Sequence, residues 1–152
     1  METSSFNFPT DTRVGPGVIA QLNETLLALG IHRPLVVTDA GLLATDAYKK
    51  LVGALLPGKP DRDWFLFSEV QPNPTEANTR GAAELALDKR CDGIVGLGGG
   101  SALDAAKVCR ILIKQPKLKL ADYDWEVDWS GLLPFIAIPT TCLLYTSPRP
   151  RD

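Results

Sequence analysis

Gly98, Gly99, Gly100 and Ser101, followed by Asp104 and Lys107, come directly after the apolar run Gly93-Ile94-Val95-Gly96-Leu97. This pattern predicts a strand, a glycine turn and the start of a helix. Glycines without Cβ atoms let the backbone turn sharply and approach a ligand, and the unpaired N–H groups and positive dipole end of the helix suit an anion. The chemistry on offer is therefore phosphate binding. A plainer role exists for the same residues, since Ser101 can cap the helix with Asp104 three residues on, as in a capping box. A cap alone does not call for three glycines. Two other phosphate motifs are excluded by spacing. A P-loop needs Lys and then Ser or Thr directly after its second glycine, whereas Lys107 lies well inside the helix and Val108 follows it. A G-x-G-x-x-G fingerprint lacks its third glycine, because Ser101 stands there.

Several other residues sit where a ligand would meet the turn. Asp39, Asn73 and the pair Thr140 and Thr141 each follow an expected strand or its loop, and in open parallel sheets the ligand crevice lies outside the carboxyl ends of the strands. An acid at position 39 can accept hydrogen bonds from both hydroxyls of an adenosine ribose, and a 2′-phosphate there would meet like charge, which favours NAD over NADP. Asp39 can equally form an Asx turn or cap the segment that follows. Asn73 lies between Pro72 and Pro74, so its backbone is expected to be stiff and extended; the alternative is a Pro-rich loop leading to a cap at Thr75. Thr140 and Thr141 offer hydroxyls, or merely end a β-branched strand. Asp104 and Lys107 are spaced to pair with each other on the helix surface.

The elements that must position these residues alternate. Phe6 to Phe8 reads as a short extended start. After Gly15-Pro16-Gly17, Val18, Leu22, Leu26 and Leu29 recur at helical spacing until Gly30. Leu35 to Thr38 is a buried strand. Residues 45 to 56, capped by Thr45 or Asp46, form a second helix, Trp64 to Phe67 the next strand, and Thr75 caps a third helix running to about Lys89. Ile94 to Leu97, a helix from Ser101 to about Lys114, a turn near Leu120 to Tyr123 and a strand from Leu133 to Ile138 complete the set. Strands alternating with helices of this length predict an α/β fold, a Rossmann-like parallel sheet with helices on both faces.

The string Gly98-Gly99-Gly100-Ser101-x-x-Asp104-x-Ala106-Lys107, preceded by Gln71-Pro72-Asn73-Pro74-Thr75 and followed by Ile138-Pro139-Thr140-Thr141, resembles the N-terminal half of the iron-containing (group III) alcohol dehydrogenases. The three motifs occur in that family's order and spacing, and the likeness covers about residues 6 to 141. It implies a dinucleotide-binding domain over residues 1–141, the first of two domains in such a dehydrogenase, with the helical C-terminal domain absent. By the same resemblance Asp39 takes the ribose, Asn73 lies beside the cofactor, Gly98, Gly99, Gly100 and Ser101 cradle its phosphates, Asp104 faces it, and Thr140 and Thr141 lie on its adenine or phosphate side. The implied reaction of the parent protein is hydride transfer between a small alcohol and the matching aldehyde or ketone, with NAD as cofactor. Members hold Fe2+ or another divalent metal through one Asp and three His of the C-terminal domain. His32 is the only histidine here, so no catalytic residue and no metal ligand is expected in this chain, which should be inactive by itself and bind NAD weakly. His32 itself is expected at the surface.

After Thr141 the family continues with a small residue and then Gly, Thr, Gly and Ser. This chain reads Cys142-Leu143-Leu144-Tyr145-Thr146-Ser147-Pro148-Arg149-Pro150-Arg151-Asp152 instead. That string resembles one reading frame of a transposon-end sequencing adapter, which has Ser where Arg149 stands, so residues 142–152 are expected to be a non-native tail.

Composition fits a cytoplasmic enzyme domain. Hydrophobic residues make up 45% of the chain and charged residues 22%, and the formal charge of −2 offers no bulk attraction to nucleic acid or to a membrane surface. No apolar run approaches the roughly 18 residues of a membrane span, and Met1 to Ser5 has no secretory character. Cys91 and Cys109 show no metal-type spacing and are expected to be packing residues in a reducing compartment. The acids of Asp122 to Trp129 lack a calcium-loop pattern and read as a solvated loop. Dimers are common in the family, though nothing in these residues specifies one. Two alternatives stay open: a stand-alone nucleotide-binding module, and a lyase of the dehydroquinate synthase type, whose glycine turn usually lacks the Ser101-x-x-Asp104-x-x-Lys107 arrangement.

Overall fold

The computed structural model describes residues 10–55, 63–120 and 130–141. Four parallel strands, β1 (Pro34–Val37), β2 (Phe65–Phe67), β3 (Gly93–Gly98) and β4 (Phe135–Pro139), form one sheet in the order β2-β1-β3-β4. Four α-helices cover it: α1 (Leu22–Ala28), α2 (Asp46–Leu55), α3 (Glu76–Asp88) and α4 (Gly100–Lys114). This is the expected doubly wound α/β arrangement. The chain runs from β1 outward to β2 on one side, then returns to place β3 and β4 on the other. The direction therefore reverses between β1 and β3, and a crevice opens at such a switch point beyond the carboxyl ends of the two strands.

The central strands are apolar throughout because both faces are covered. Leu35, Val37 and Ile94 point to one face, where they meet Ala82, Ala83 and Ala86 of α3 and Ala105, Ala106, Cys109 and Leu112 of α4. Val36, Val95 and Leu97 point to the other, against Leu22 and Leu26 of α1 and Leu51, Ala54 and Leu55 of α2. The alanine-rich faces of α3 and α4 let these helices lie close to the sheet. Gly96 extends that close approach: a Cβ there would come within 3.1 Å of the Ala106 Cβ and of the Phe135 ring.

At the opposite pole of the sheet, the Asp92 carboxylate accepts the backbone N–H groups of His32 (2.9 Å) and Arg33 (2.7 Å). Arg33 also stacks over the Phe65 ring at 5.2 Å and donates to the Lys89 carbonyl. This clamp ties the entries of β1, β2 and β3 together. His32 is exposed, as expected.

Three local expectations are corrected. The helix expected over Val18 to Leu29 is a 3-10 turn, Val18–Gln21, followed by α1; Gly17 caps the turn with φ 74° and no side-chain bond, so the first turn tightens. Asn73 is not extended but left-handed, with φ 58°. Pro74 disfavours the right-handed helical region for the residue before it, and Asn tolerates the left-handed one. Ser101 is not the cap of α4: Gly99 occupies that position with no side-chain hydrogen bond, so the Ser101–Asp104 capping box does not form. A capping box does start α3, between Thr75 and Asn78. The extended start at Phe6 to Phe8, the acidic stretch Asp122 to Trp129 and the tail 142–152 lie outside the described residues.

Candidate functional site

A cavity of about 850 Å³ opens at the switch point. Its walls come from the segment after β1 (Asp39 to Leu42), the segment after β2 (Ser68 to Pro72), the start of α4 (Gly99 to Ala102) and the end of β4 (Thr140 and Thr141). Each wall follows the carboxyl end of a different strand, and the size suits a small-molecule site.

The glycine turn forms the floor. Gly98 has φ 146°, a conformation that side-chain-bearing residues rarely adopt, and a Cβ there would lie 2.7 Å from the Ala102 Cβ. Gly99 follows in an extended conformation, and a Cβ on it would meet Thr141 Oγ1 at 3.2 Å. The first i to i−4 bond of α4 runs from the Leu103 N–H to the Gly99 carbonyl at 3.1 Å. The N–H groups of Gly100, Ser101 and Ala102 thus precede the helical ladder, and these residues line the cavity at the positive end of a 15-residue helix.

Asp39 lines the cavity beside the glycine turn. Its Oδ1 accepts the Leu42 N–H at 3.2 Å, capping the short 3-10 turn Ala40–Leu42. The other oxygen, Oδ2, lies 3.7 Å from where a Gly98 Cβ would stand. The capping role and an orientation toward the glycine turn are therefore both present in one side chain. Two carboxylate-bearing residues, Asp39 and Glu69, line the cavity, and among the described residues no Lys or Arg does. The site thus combines two acids with the start of α4, whose first N–H groups precede the helical ladder.

Of the residues singled out in the sequence, the structure gathers Asp39, Gly99, Gly100, Ser101, Thr140 and Thr141 around the cavity, with Gly98 directly beneath. It does not bring in Asn73, which is exposed on its left-handed turn, or Asp104. Asp104 lies one turn along α4, exposed, and pairs with Lys107 at 3.4 Å, the surface pair its spacing allows. Sequence reasoning missed Ser68, Glu69 and Gln71. The signal was available, because the strand ending at Phe67 implies a crevice-facing loop immediately after it.

Among the described residues no three His, Cys, Asp or Glu side chains gather as metal ligands, so these residues would not hold the divalent metal that the resemblance assigns to the C-terminal domain. Cys91 and Cys109 are buried and away from the cavity. Burial pushes the Cys91 thiol up to about 11 and the Cys109 thiol up to about 12, which suits packing groups. No helix among the described residues is long and apolar enough to cross a membrane.

Comparison with known proteins gives a consistent picture. Alcohol dehydrogenase 4 of Schizosaccharomyces pombe is 38% identical over 143 residues, which is 93% of this chain and 33% of that enzyme. The 4-hydroxybutyrate dehydrogenase of Cupriavidus necator is 35% identical over 130 residues, or 82% of this chain and 33% of that enzyme. Among solved structures, an iron-containing alcohol dehydrogenase superposes with a TM-score of 0.77 at 33% identity, covering 92% of this chain and 38% of the other. The sulfoacetaldehyde reductase of Bifidobacterium kashiwanohense, solved in complex with NAD+, superposes with a TM-score of 0.76 at 25% identity, covering 93% of this chain and 37% of the other. The chain spans about a third of the length of the curated relatives it matches. The sequence model of the family described as "Iron-containing alcohol dehydrogenase" matches residues 9–143. On that match, which takes in most of the chain, this chain belongs to the iron-containing alcohol dehydrogenase family.

Proposed function

We propose that this chain is the NAD-binding part of a dehydrogenase that, as a whole protein, transfers hydride between a small alcohol and the matching aldehyde or ketone. The observation that carries the reading is the convergence of Asp39 and the free amide end of α4 at the β1/β3 switch point. A dinucleotide needs one acceptor for its adenosine ribose and one anion cradle for its pyrophosphate, and Asp39 and the start of α4 both line this cavity. The fit is steric as well as electrostatic. A Cβ at Gly98 would press on Ala102 and one at Gly99 on Thr141, so glycine at both positions keeps the turn close to the cavity wall.

In this reading Asp39 accepts hydrogen bonds from the ribose hydroxyls, and its bond to Leu42 N–H fixes the carboxylate in place. Gly98 to Ser101 receive the pyrophosphate on backbone N–H groups, and the dipole of α4 adds to the attraction. Thr140 and Thr141 close the side of the cradle with hydroxyl donors. When bound, NAD supplies the acceptor for hydride; the chain's own contribution is to hold and orient it. The chain alone binds the cofactor without turning over substrate.

Titrating the chain with NADH, read by nucleotide fluorescence, tests the reading. Saturable binding is expected, weakened at least about tenfold by Gly99→Val, which fills the cradle. Binding that Gly99→Val leaves unchanged contradicts it.

A further inference from the structure

Glu69 has no counterpart among the residues the family resemblance singles out, yet it lines the same cavity as Asp39. The two residues form an isolated antiparallel bridge. Directly opposed residues of such a bridge carry their side chains on the same side, with Cβ atoms about 4.5–5.5 Å apart. The segment that carries Glu69 is fixed from two directions. The Thr38 N–H donates to the Phe67 carbonyl at 2.9 Å and the Val70 N–H to the Thr38 carbonyl at 3.4 Å, while the Glu69 carbonyl accepts Asn78 Nδ2 at 3.2 Å. Asn78 is itself held in the capping box of α3. Both acids line the cavity, and among the described residues no lysine or arginine lines it.

We propose that Glu69 is a second specificity-determining residue, which together with Asp39 restricts the cavity to dinucleotides whose adenosine ribose has a free 2′-hydroxyl. The proposal rests on the reading of this cavity as a dinucleotide site. A 2′-phosphate carries close to two negative charges at neutral pH. Placed near Asp39, it would also meet the opposed Glu69 carboxylate, with no cation among the described lining residues to offset either repulsion. A neutral hydroxyl meets no such penalty and can donate to either acid. Glu69 is exposed, so its effect is screened by salt where a steric or folding role would not be.

The test uses the full chain and two probes, NADH and NADPH, titrated at low and high ionic strength. Four proteins are compared: wild type, Glu69→Gln, the double variant Asp39→Asn/Glu69→Gln, and Glu84→Gln, which removes the same charge from an exposed position on α3 outside the cavity. Wild type is expected to prefer NADH. Glu69→Gln should narrow the NADH over NADPH preference about three- to tenfold, mostly by tightening NADPH. Added salt should narrow the preference in wild type and leave the double variant unchanged. A Glu69→Gln ratio equal to that of Glu84→Gln overturns the role of Glu69 while leaving the dinucleotide site standing. So does a wild type that binds both probes equally. A wild type that binds neither probe overturns the dinucleotide reading, and this inference with it.

Discussion

The backbone N–H of Thr140 donates to the Gly98 carbonyl oxygen across 2.9 Å, so the glycine turn after β3 and the exit of β4 are joined as one unit. Gly98 also pairs with Pro139 in the β3/β4 ladder. The turn is therefore held by the sheet on one side and by the first residues of α4 on the other. Its unusual φ of 146° persists because both neighbours require it.

Alanine at the two successive glycines should separate stability from binding. At Gly98 the new methyl meets Ala102 at 2.7 Å on a backbone that disfavours it, so Gly98→Ala is expected to cost about 1–3 kcal/mol of stability and to abolish nucleotide binding. At Gly99 the nearest atom, at 3.2 Å, belongs to the exposed Thr141 side chain, which can rotate away. Gly99→Ala should stay within about 0.5 kcal/mol of wild type in urea denaturation while weakening NADH binding. Equal losses of stability in both variants would contradict this account of the turn.

Thr38 follows β1 immediately, is fully buried, and its hydroxyl makes no hydrogen bond. A buried, unsatisfied hydroxyl costs about 1–3 kcal/mol. Thr38→Val keeps the shape and removes that cost, so the urea midpoint should rise. A fall in the midpoint would mean that the hydroxyl has a partner in solution.

Alkaline pH should destabilise the fold through the two buried thiols. Burial is the main cause that raises Cys91 to about 11 and Cys109 to about 12 from the ordinary 9.0; a charge on Cys91 further raises Cys109. In the folded state both keep protons that the unfolded chain releases above about pH 9, so their contribution is complete below that pH and is lost as pH climbs toward the folded values. Denaturation midpoints measured across this range should decline, and the decline should be shallower in the Cys91→Ala/Cys109→Ala variant. An identical slope in the variant would remove the thiols from the explanation.

Most of the fold is legible in the sequence because its apolar runs are short, central and bounded by Gly, Pro or capping residues. β1, β3 and α4 lie within two residues of their expected bounds. The Thr75 cap is equally legible, since a hydroxyl before a helix has one main use there. What the sequence conceals is direction. Nothing in the spacing of Asp104 shows that one helical turn carries it out of the cavity to Lys107. Nor does an Asn between two prolines reveal which of its two allowed backbone regions it takes. The loop after β2 could have been placed at the crevice from the sequence, but the bridge of Glu69 to Asp39, thirty positions earlier, exists only once β1 and β2 pair.

The most direct test of the central claim is an NMR titration of the isotope-labelled chain with NADH, following each backbone amide. The account predicts saturable shifts concentrated at Gly98 to Ala102, Asp39 to Leu42, Thr140 and Thr141, displaced by ADP-ribose. Shifts absent up to millimolar NADH, or confined to the opposite pole around Arg33 and Asp92, would contradict it.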